Sequence, residues 1–186
     1  MSEKSRARLK LTLACDKACK YCINKDQDYQ NRWVQIEDIQ EVKWSDFRTI
    51  IISGGEPTMD LRLRSVCRGL RIFAGEKPMI YLQTNGSGLT KQLIMDPDVD
   101  HSIDGIGLSV HNLAEFQHML PRWLDIVKVK PIRLYFEEGT MEDDVHEVLG
   151  FSGAEYLFQY RPWKAGCLDH SEQVFLLHNW EHHIRP

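Results

Sequence analysis

The sequence predicts an α/β fold: a partial (β/α)6 barrel with a curved, mostly parallel sheet. Six short runs rich in Val, Ile, Leu, Tyr and Phe, at residues 8–14, 49–53, 79–84, 105–110, 131–136 and 155–160, are nearly continuous in apolar character. Strands buried on both faces read this way. The segments between them are long enough for crossover helices, which connect parallel neighbours with a right-handed sense. Six units fall short of the eight that close a full barrel, so an open, curved sheet is expected.

Taken in order, residues 8–14 lead straight into a cysteine-bearing loop, and residues 49–53 end in a pair of glycines. Asp60 to Phe73 carries Leu61, Leu63, Val66, Leu70 and Phe73 at helical spacing, and Leu113 to Trp123 reads as a helix closing near Pro121. Met141 to Leu149 begins with acids that complement a helix dipole. His170 to His183 reads as a terminal helix packed on the outside. No repeat, low-complexity tract or linker interrupts the chain, so residues 1–186 are read as one domain.

With 186 residues, 42% of them hydrophobic, the chain can bury a substantial core. A net charge of -4 gives no bulk basic footprint, so neither nucleic acid nor an anionic membrane is expected as a partner. No apolar stretch is long enough to span a bilayer. Three of the five cysteines crowd into residues 15–22, a usage that fits reduced thiols in a soluble, cytoplasmic protein.

Those three, Cys15, Cys19 and Cys22, stand as Cys-x3-Cys-x2-Cys. Three thiolates on one short loop can ligate three irons of a cubane cluster and leave the fourth for a ligand that is not protein. Structural zinc is the competing reading, although such sites usually bring a second Cys pair or a His at matching spacing. Further on, Ile50-Ile51-Ile52-Ser53 runs into Gly54-Gly55-Glu56-Pro57. The glycines permit close backbone approach to a ligand, and Glu56 is an acceptor at the strand end where α/β sheets bind ligands.

Together the two motifs resemble the radical S-adenosylmethionine (radical SAM) superfamily. Cys15, Cys19 and Cys22, with Tyr21 in the aromatic slot, match its cysteine loop, and Gly54 to Pro57 match its Gly-Gly-Glu-Pro motif residue for residue. The resemblance implies an enzyme whose three cysteines ligate a 4Fe-4S cluster. The open iron would take the amino and carboxylate groups of S-adenosyl-L-methionine, with Gly54, Gly55 and Glu56 holding that amino group and the backbone near Tyr21 approaching the adenine. It implies a ribose contact at Ser109 and a cofactor-facing Asn85 in Thr84-Asn85-Gly86. The family's strand-five pattern is half present: Ile132 and Glu137 fit, so adenine would pack on Ile132, but Lys130 and Leu134 replace glycines. His111 also ends a strand beside the expected site, as does Arg161.

The implied chemistry is reductive cleavage of the cofactor to a 5'-deoxyadenosyl radical that abstracts hydrogen from a small-molecule substrate, nucleobase- or pterin-like. An activase that installs a glycyl radical on a partner enzyme, such as anaerobic ribonucleotide reductase, is the alternative, supported by Asn24 following Cys22 by two. A non-catalytic zinc module is the alternative of another class. A flavodoxin- or ferredoxin-like donor would supply the electron, and the basic cluster of Arg6, Arg8, Lys10, Lys17, Lys20 and Lys25 could dock that acidic protein or offset the charge of the cluster. Cys67, on an apolar helix face, reads as packing. Cys167 follows the sixth strand near the expected open end, where it could meet substrate or ligate a second metal, although one isolated cysteine cannot build an auxiliary cluster; His170, His178, His182 and His183 read as an exposed polar face before they read as a zinc site.

Overall fold

The protein is described from a computed structural model that defines residues 4–19, 22, 32–34, 39–40, 42–137, 142–152, 158–163 and 172–177. The first strand, β1 (Lys4–Thr12), alternates in the face it presents: Ala7, Leu9 and Leu11 join the hydrophobic cluster, whereas Arg6 and Arg8, which keep some solvent contact, and the buried Lys10 stay out of it. Period-two patterning of this kind fixes which face packs and which stays polar.

Seven more strands complete one sheet: β2 (Arg32–Val34), β3 (Phe47–Gly54), β4 (Met79–Thr84), β5 (Gly105–Ser109), β6 (Ile132–Glu137), β7 (Phe158–Trp163) and β8 (Glu172–Leu177). Their order is β2-β8-β1-β3-β4-β5-β6-β7, and every neighbouring pair is parallel. All six expected strands are present, in the α/β, partial-barrel arrangement read from the sequence. The expected helix at residues 170–183 is corrected: residues 172–177 form β8, paired with β1. Val174-Phe175-Leu176-Leu177 is an apolar run that suits a ladder position, and it covers an edge of β1 that would otherwise invite pairing with another chain.

Helices α1 (Leu63–Ala74), α2 (Lys91–Ile94), α3 (Pro97–Asp100), α4 (Leu113–Val127) and α5 (Glu142–Ser152) lie in the crossovers from β3 to β7. Capping sets where they start: the side chains of Thr90, Asp96 and Asn112 accept hydrogen bonds from the backbone N–H groups of Leu93, Asp98 and Glu115. Contrary to expectation, α4 does not close near Pro121 but continues to Val127. Proline removes one helical hydrogen bond, and here both Pro121 and Gln117, whose carbonyl loses the bond, face solvent, which can solvate it.

Leu63, Val66 and Leu70 of α1 and Phe116, Leu120 and Trp123 of α4 join Leu9, Ile50, Ile52, Leu82, Leu108 and Leu134 in one cluster. Each such side chain taken from water stabilises the fold by about 2 kcal/mol. The alternate residues of the same strands, among them Lys10, Ser53, Gln83 and Arg133, face the opposite, inner side of the sheet.

Candidate metal centre and cofactor site

The cysteine loop is rooted where β1 and β3 end. Gly55 donates its N–H to the Thr12 carbonyl at 2.7 Å, and Glu56 donates to Ala14 at 2.7 Å. A Cβ on Gly54 would come within 2.2 Å of the Thr12 carbonyl oxygen, and one on Gly55 within 2.1 Å of that of Ala14. Gly54 also sits at φ 151°, which only glycine adopts freely. The glycines thus serve first to bring β3 against the root of the cysteine loop, a more local task than the approach to a ligand expected from sequence.

The Glu56 carboxylate is turned inward and is fully buried. Its Oε1 accepts from Thr58 N–H at 3.0 Å, the Thr58 hydroxyl at 2.5 Å and the Thr84 hydroxyl at 2.6 Å, and Oε2 accepts from Asn85 N–H at 2.7 Å. Burial pushes its pKa above the ordinary glutamate value, and these hydrogen bonds oppose the shift. The side chain welds the Gly54–Pro57 loop to the end of β4, while Pro57 opens a buried 3-10 turn. Glu56→Gln would set an amide N–H₂ against one of these donors and is expected to cost about 2 kcal/mol of stability. Urea unfolding checks it; an unchanged midpoint would return Glu56 to a role confined to the cofactor.

A second anchor escaped sequence reasoning. Arg62 grips Asp60 through Nε at 3.1 Å and Nη2 at 2.8 Å, and Nη2 also donates to the Leu11 carbonyl at 2.8 Å. Both residues are buried. Their separation by one position beside a turn was visible, but the reach to β1 was not.

Asn85 donates from Nδ2 to Asp16 at 2.8 Å and lies 3.7 Å from the Cys15 sulfur, so it braces the cysteine loop. Lys17 is ion-paired with Glu115 at the start of α4 and donates its backbone N–H to Cys15 Sγ at 3.4 Å. Desolvation pushes the Cys15 thiol above its ordinary pKa, with the Lys17 N–H opposing. Burial would also raise the Asp16 carboxyl, but hydrogen bonds from Ser87 and Asn85 and the Lys17 charge hold it below the usual range.

Cys15 is exposed, Cys19 and Cys22 are partly exposed, and none of the three is in a disulfide among the described residues. Among the described residues, no three His, Cys, Asp or Glu side chains converge as a ready-made metal cage. The fit to an iron-sulfur cluster rests on the donor set: three at least partly exposed cysteines outside any described disulfide on one loop, with N–H groups aimed at Cys15 of the kind that stabilise a bound thiolate. By contrast Cys67 is fully buried on α1, its pKa pushed up to about 12 by desolvation, and it acts as packing.

Ser109 ends β5 and its hydroxyl accepts from Gln83 at 3.1 Å. His111 follows at the same edge, exposed to solvent on one side. Desolvation by the protein flank and the Lys17 charge lower its pKa, against Glu115. Ile132 is corrected: it begins β6 at the end of the sheet away from the cysteine loop and is fully buried in the core, so no adenine can pack on it. Ile132→Ala is expected to lower stability by about 3 kcal/mol while cofactor affinity stays unchanged, as paired melting and binding titrations would show. The cluster of basic residues also divides. Arg8 and Lys10 face the inner side of the sheet and Lys17 is held by Glu115, so they form no single outward surface. Tyr21, Lys20, Asn24, Lys25, Cys167, His170, His178, His182 and His183 lie outside the described residues.

A parallel sheet that gathers a three-cysteine loop and a Gly-Gly-Glu-Pro loop at its strand ends defines a class, and the comparisons agree with it. The Radical SAM superfamily model matches residues 9–130, and the chain belongs to that superfamily. It is 28% identical over 129 residues to the GTP 3',8-cyclase of Pseudomonas fluorescens (strain Pf0-1), covering 66% of this chain and 38% of that enzyme. The crystal structure of Streptococcus suis SuiB matches with a TM-score of 0.56 at 14% identity, over 91% of this chain and 41% of that one. That of BtrN in complex with AdoMet and 2-DOIA matches with a TM-score of 0.48 at 15% identity, over 94% and 56%. The chain therefore spans less than two thirds of each of these proteins.

Proposed function

We propose that this protein is a radical SAM enzyme that uses a 4Fe-4S cluster and S-adenosyl-L-methionine to abstract hydrogen from a small, nucleobase- or pterin-like molecule. The observation that carries the reading is the junction of the two motifs: the N–H groups of Gly55 and Glu56 bonded to Thr12 and Ala14, at the root of the Cys15 loop. When bound, the cluster and its cofactor supply reductive cleavage to a 5'-deoxyadenosyl radical. Cys15, Cys19 and Cys22 would ligate three irons. Because the Glu56 carboxylate is committed to Thr58, Thr84 and Asn85, the Gly54–Pro57 loop can offer an amino group its main chain more readily than that side chain.

Asn85, just after β4, and Glu115 of α4, which pairs with Lys17, hold the cysteine loop in place, and Ser109 and His111 are polar groups at the end of β5. Likeness to the GTP 3',8-cyclase favours a small nucleotide-like substrate over the glycine loop of a partner enzyme. A flavodoxin- or ferredoxin-like protein is the proposed electron source. Among the described residues no helix is long and apolar enough to cross a membrane, and a cytoplasmic location is proposed with the reduced thiols.

Anaerobic reconstitution with iron and sulfide, followed by dithionite and cofactor, tests the reading. Formation of 5'-deoxyadenosine supports it. A colourless protein that retains zinc and yields none favours the zinc module.

A further inference from the structure

A carboxylate and an amide donor meet beside the first cysteine. Cys15 Sγ lies 3.8 Å from Asp16 Oδ1, and Asn85 Nδ2 reaches both, at 2.8 Å from the carboxylate and 3.7 Å from the sulfur. The two groups act on that sulfur with opposite sign. A carboxylate disfavours any further negative charge there, whereas an N–H directed at the sulfur favours it, and charge and sulfur hydrogen bonds are among the quantities that set the potential of an iron-sulfur cluster.

The direction of the amide is fixed by the turn that carries it. Asn85 Oδ1 accepts from the Ser87 N–H at 2.8 Å, which leaves Nδ2, and not the oxygen, facing the cysteine loop. The Asn85 N–H is itself held by Glu56 Oε2 at 2.7 Å, and only 8% of the residue is exposed. Gly86 follows at φ 85°, where a Cβ would come within 2.7 Å of Leu108 and Trp123, and its N–H donates to the Thr84 hydroxyl at 3.0 Å. From α4, Arg122 Nη2 donates to the carbonyls of Gly86 at 2.6 Å and Ser87 at 3.2 Å. A neutral amide at position 16 would accept the Asn85 bond as well as the carboxylate does, so bracing the loop does not by itself call for a charge beside the sulfur. Lys17 offsets part of that charge, but its ammonium is ion-paired with Glu115.

We infer that Asp16 and Asn85 set the reduction potential of the cluster held by Cys15, Cys19 and Cys22, the carboxylate lowering it and the amide raising it, with Arg122 positioning the amide. The step concerned is reduction of the 4Fe-4S core from 2+ to 1+ by one electron from the flavodoxin- or ferredoxin-like donor, which is oxidised by one electron; no bond forms or breaks. The inference rests on the radical SAM reading for the presence of the cluster. It names the groups of this chain that hold the potential in the strongly reducing range that cleavage of a sulfonium demands. Because Cys15 and Asp16 are both exposed, the effect of the charge is taken at its limit in water, where two unit charges about 4 Å apart shift an equilibrium about fivefold.

Potentiometric titration followed by spin resonance tests it, on the full chain reconstituted anaerobically and without S-adenosyl-L-methionine. Asp16→Asn is expected to favour the reduced cluster about fivefold, a rise of about 40 mV at about 59 mV per decade for one electron. Asn85→Ala is expected to move the potential the other way, by about threefold in the same equilibrium, and Arg122→Met to follow it by less. Iron content and thermal melts of the unloaded variants accompany each titration. A purely structural brace would change iron retention or the melting temperature without moving the potential in opposite directions. Equal potentials for the parent and Asp16→Asn, shifts of the same sign for Asp16→Asn and Asn85→Ala, or an Arg122→Met potential equal to that of the parent would overturn the inference. A parent that assembles no cluster would defeat the radical SAM reading and this inference with it, whereas a loaded parent with unshifted variants would defeat the inference alone.

Discussion

Replacing Cys15 with alanine is expected to abolish cluster assembly and formation of 5'-deoxyadenosine while leaving the fold intact. Cys15 is exposed and contributes nothing to the hydrophobic cluster, so its loss should not lower the melting temperature of the unloaded protein. The scaffold also serves this thiol directly, through Lys17 N–H at 3.4 Å and the Asn85 amide at 3.7 Å. Losing one of three thiolates leaves a cluster with two protein ligands, too few to hold it against loss to solvent. Iron and sulfide content, with the visible absorption of the reconstituted variant, checks the first half; the deoxyadenosine assay checks the second. Cys67→Ser makes the contrast, since that thiol is buried on α1: iron content should be unchanged and stability reduced. If Cys15→Ala retained a full complement of iron, the loop would not be the metal centre.

The second large effect concerns the anchor beneath that loop. Arg62→Met leaves the fully buried Asp60 carboxylate without its charged partner and frees the Leu11 carbonyl. Breaking a buried pair from one side costs about 3 to 5 kcal/mol, a large share of the stability of a domain of this size. Urea unfolding should show it, and Asp60→Asn combined with Arg62→Met should be less harmful than the two single effects summed, because no charge then stays unpaired. A loss below about 1 kcal/mol for Arg62→Met would mean that water reaches the pair in solution.

What the sequence disclosed and what it withheld divides along physical lines. Apolar runs such as Ile50-Ile51-Ile52 announce a strand wherever they occur, because burial on both faces allows little else. The order of these runs, with room for helices between them, left few topologies open. β8 was missed because a terminal apolar run cannot be told from a helix by periodicity, and only its place beside β1 decides. The cysteine and glycine motifs were legible because their residue types and spacing are demanded by chemistry. The Glu56 network was not, since the motif names the residue without saying which way its carboxylate points. Ile132 was misplaced for a related reason: matching a pattern along the chain does not tell which end of the strand it occupies. The inner face was present in the alternation Arg6, Arg8, Lys10 all along, but its extent across the sheet depended on a register with β3 to β6 that no local pattern supplies.

Spin resonance of the reconstituted, dithionite-reduced protein with and without S-adenosyl-L-methionine tests the central claim most directly. A 4Fe-4S signal accompanied by about four irons per chain, whose shape changes on adding the cofactor, is the predicted result, since only a cluster with an iron left open by Cys15, Cys19 and Cys22 can take the cofactor as a ligand. A protein that binds zinc in place of iron, or a cluster signal indifferent to the cofactor, would contradict it.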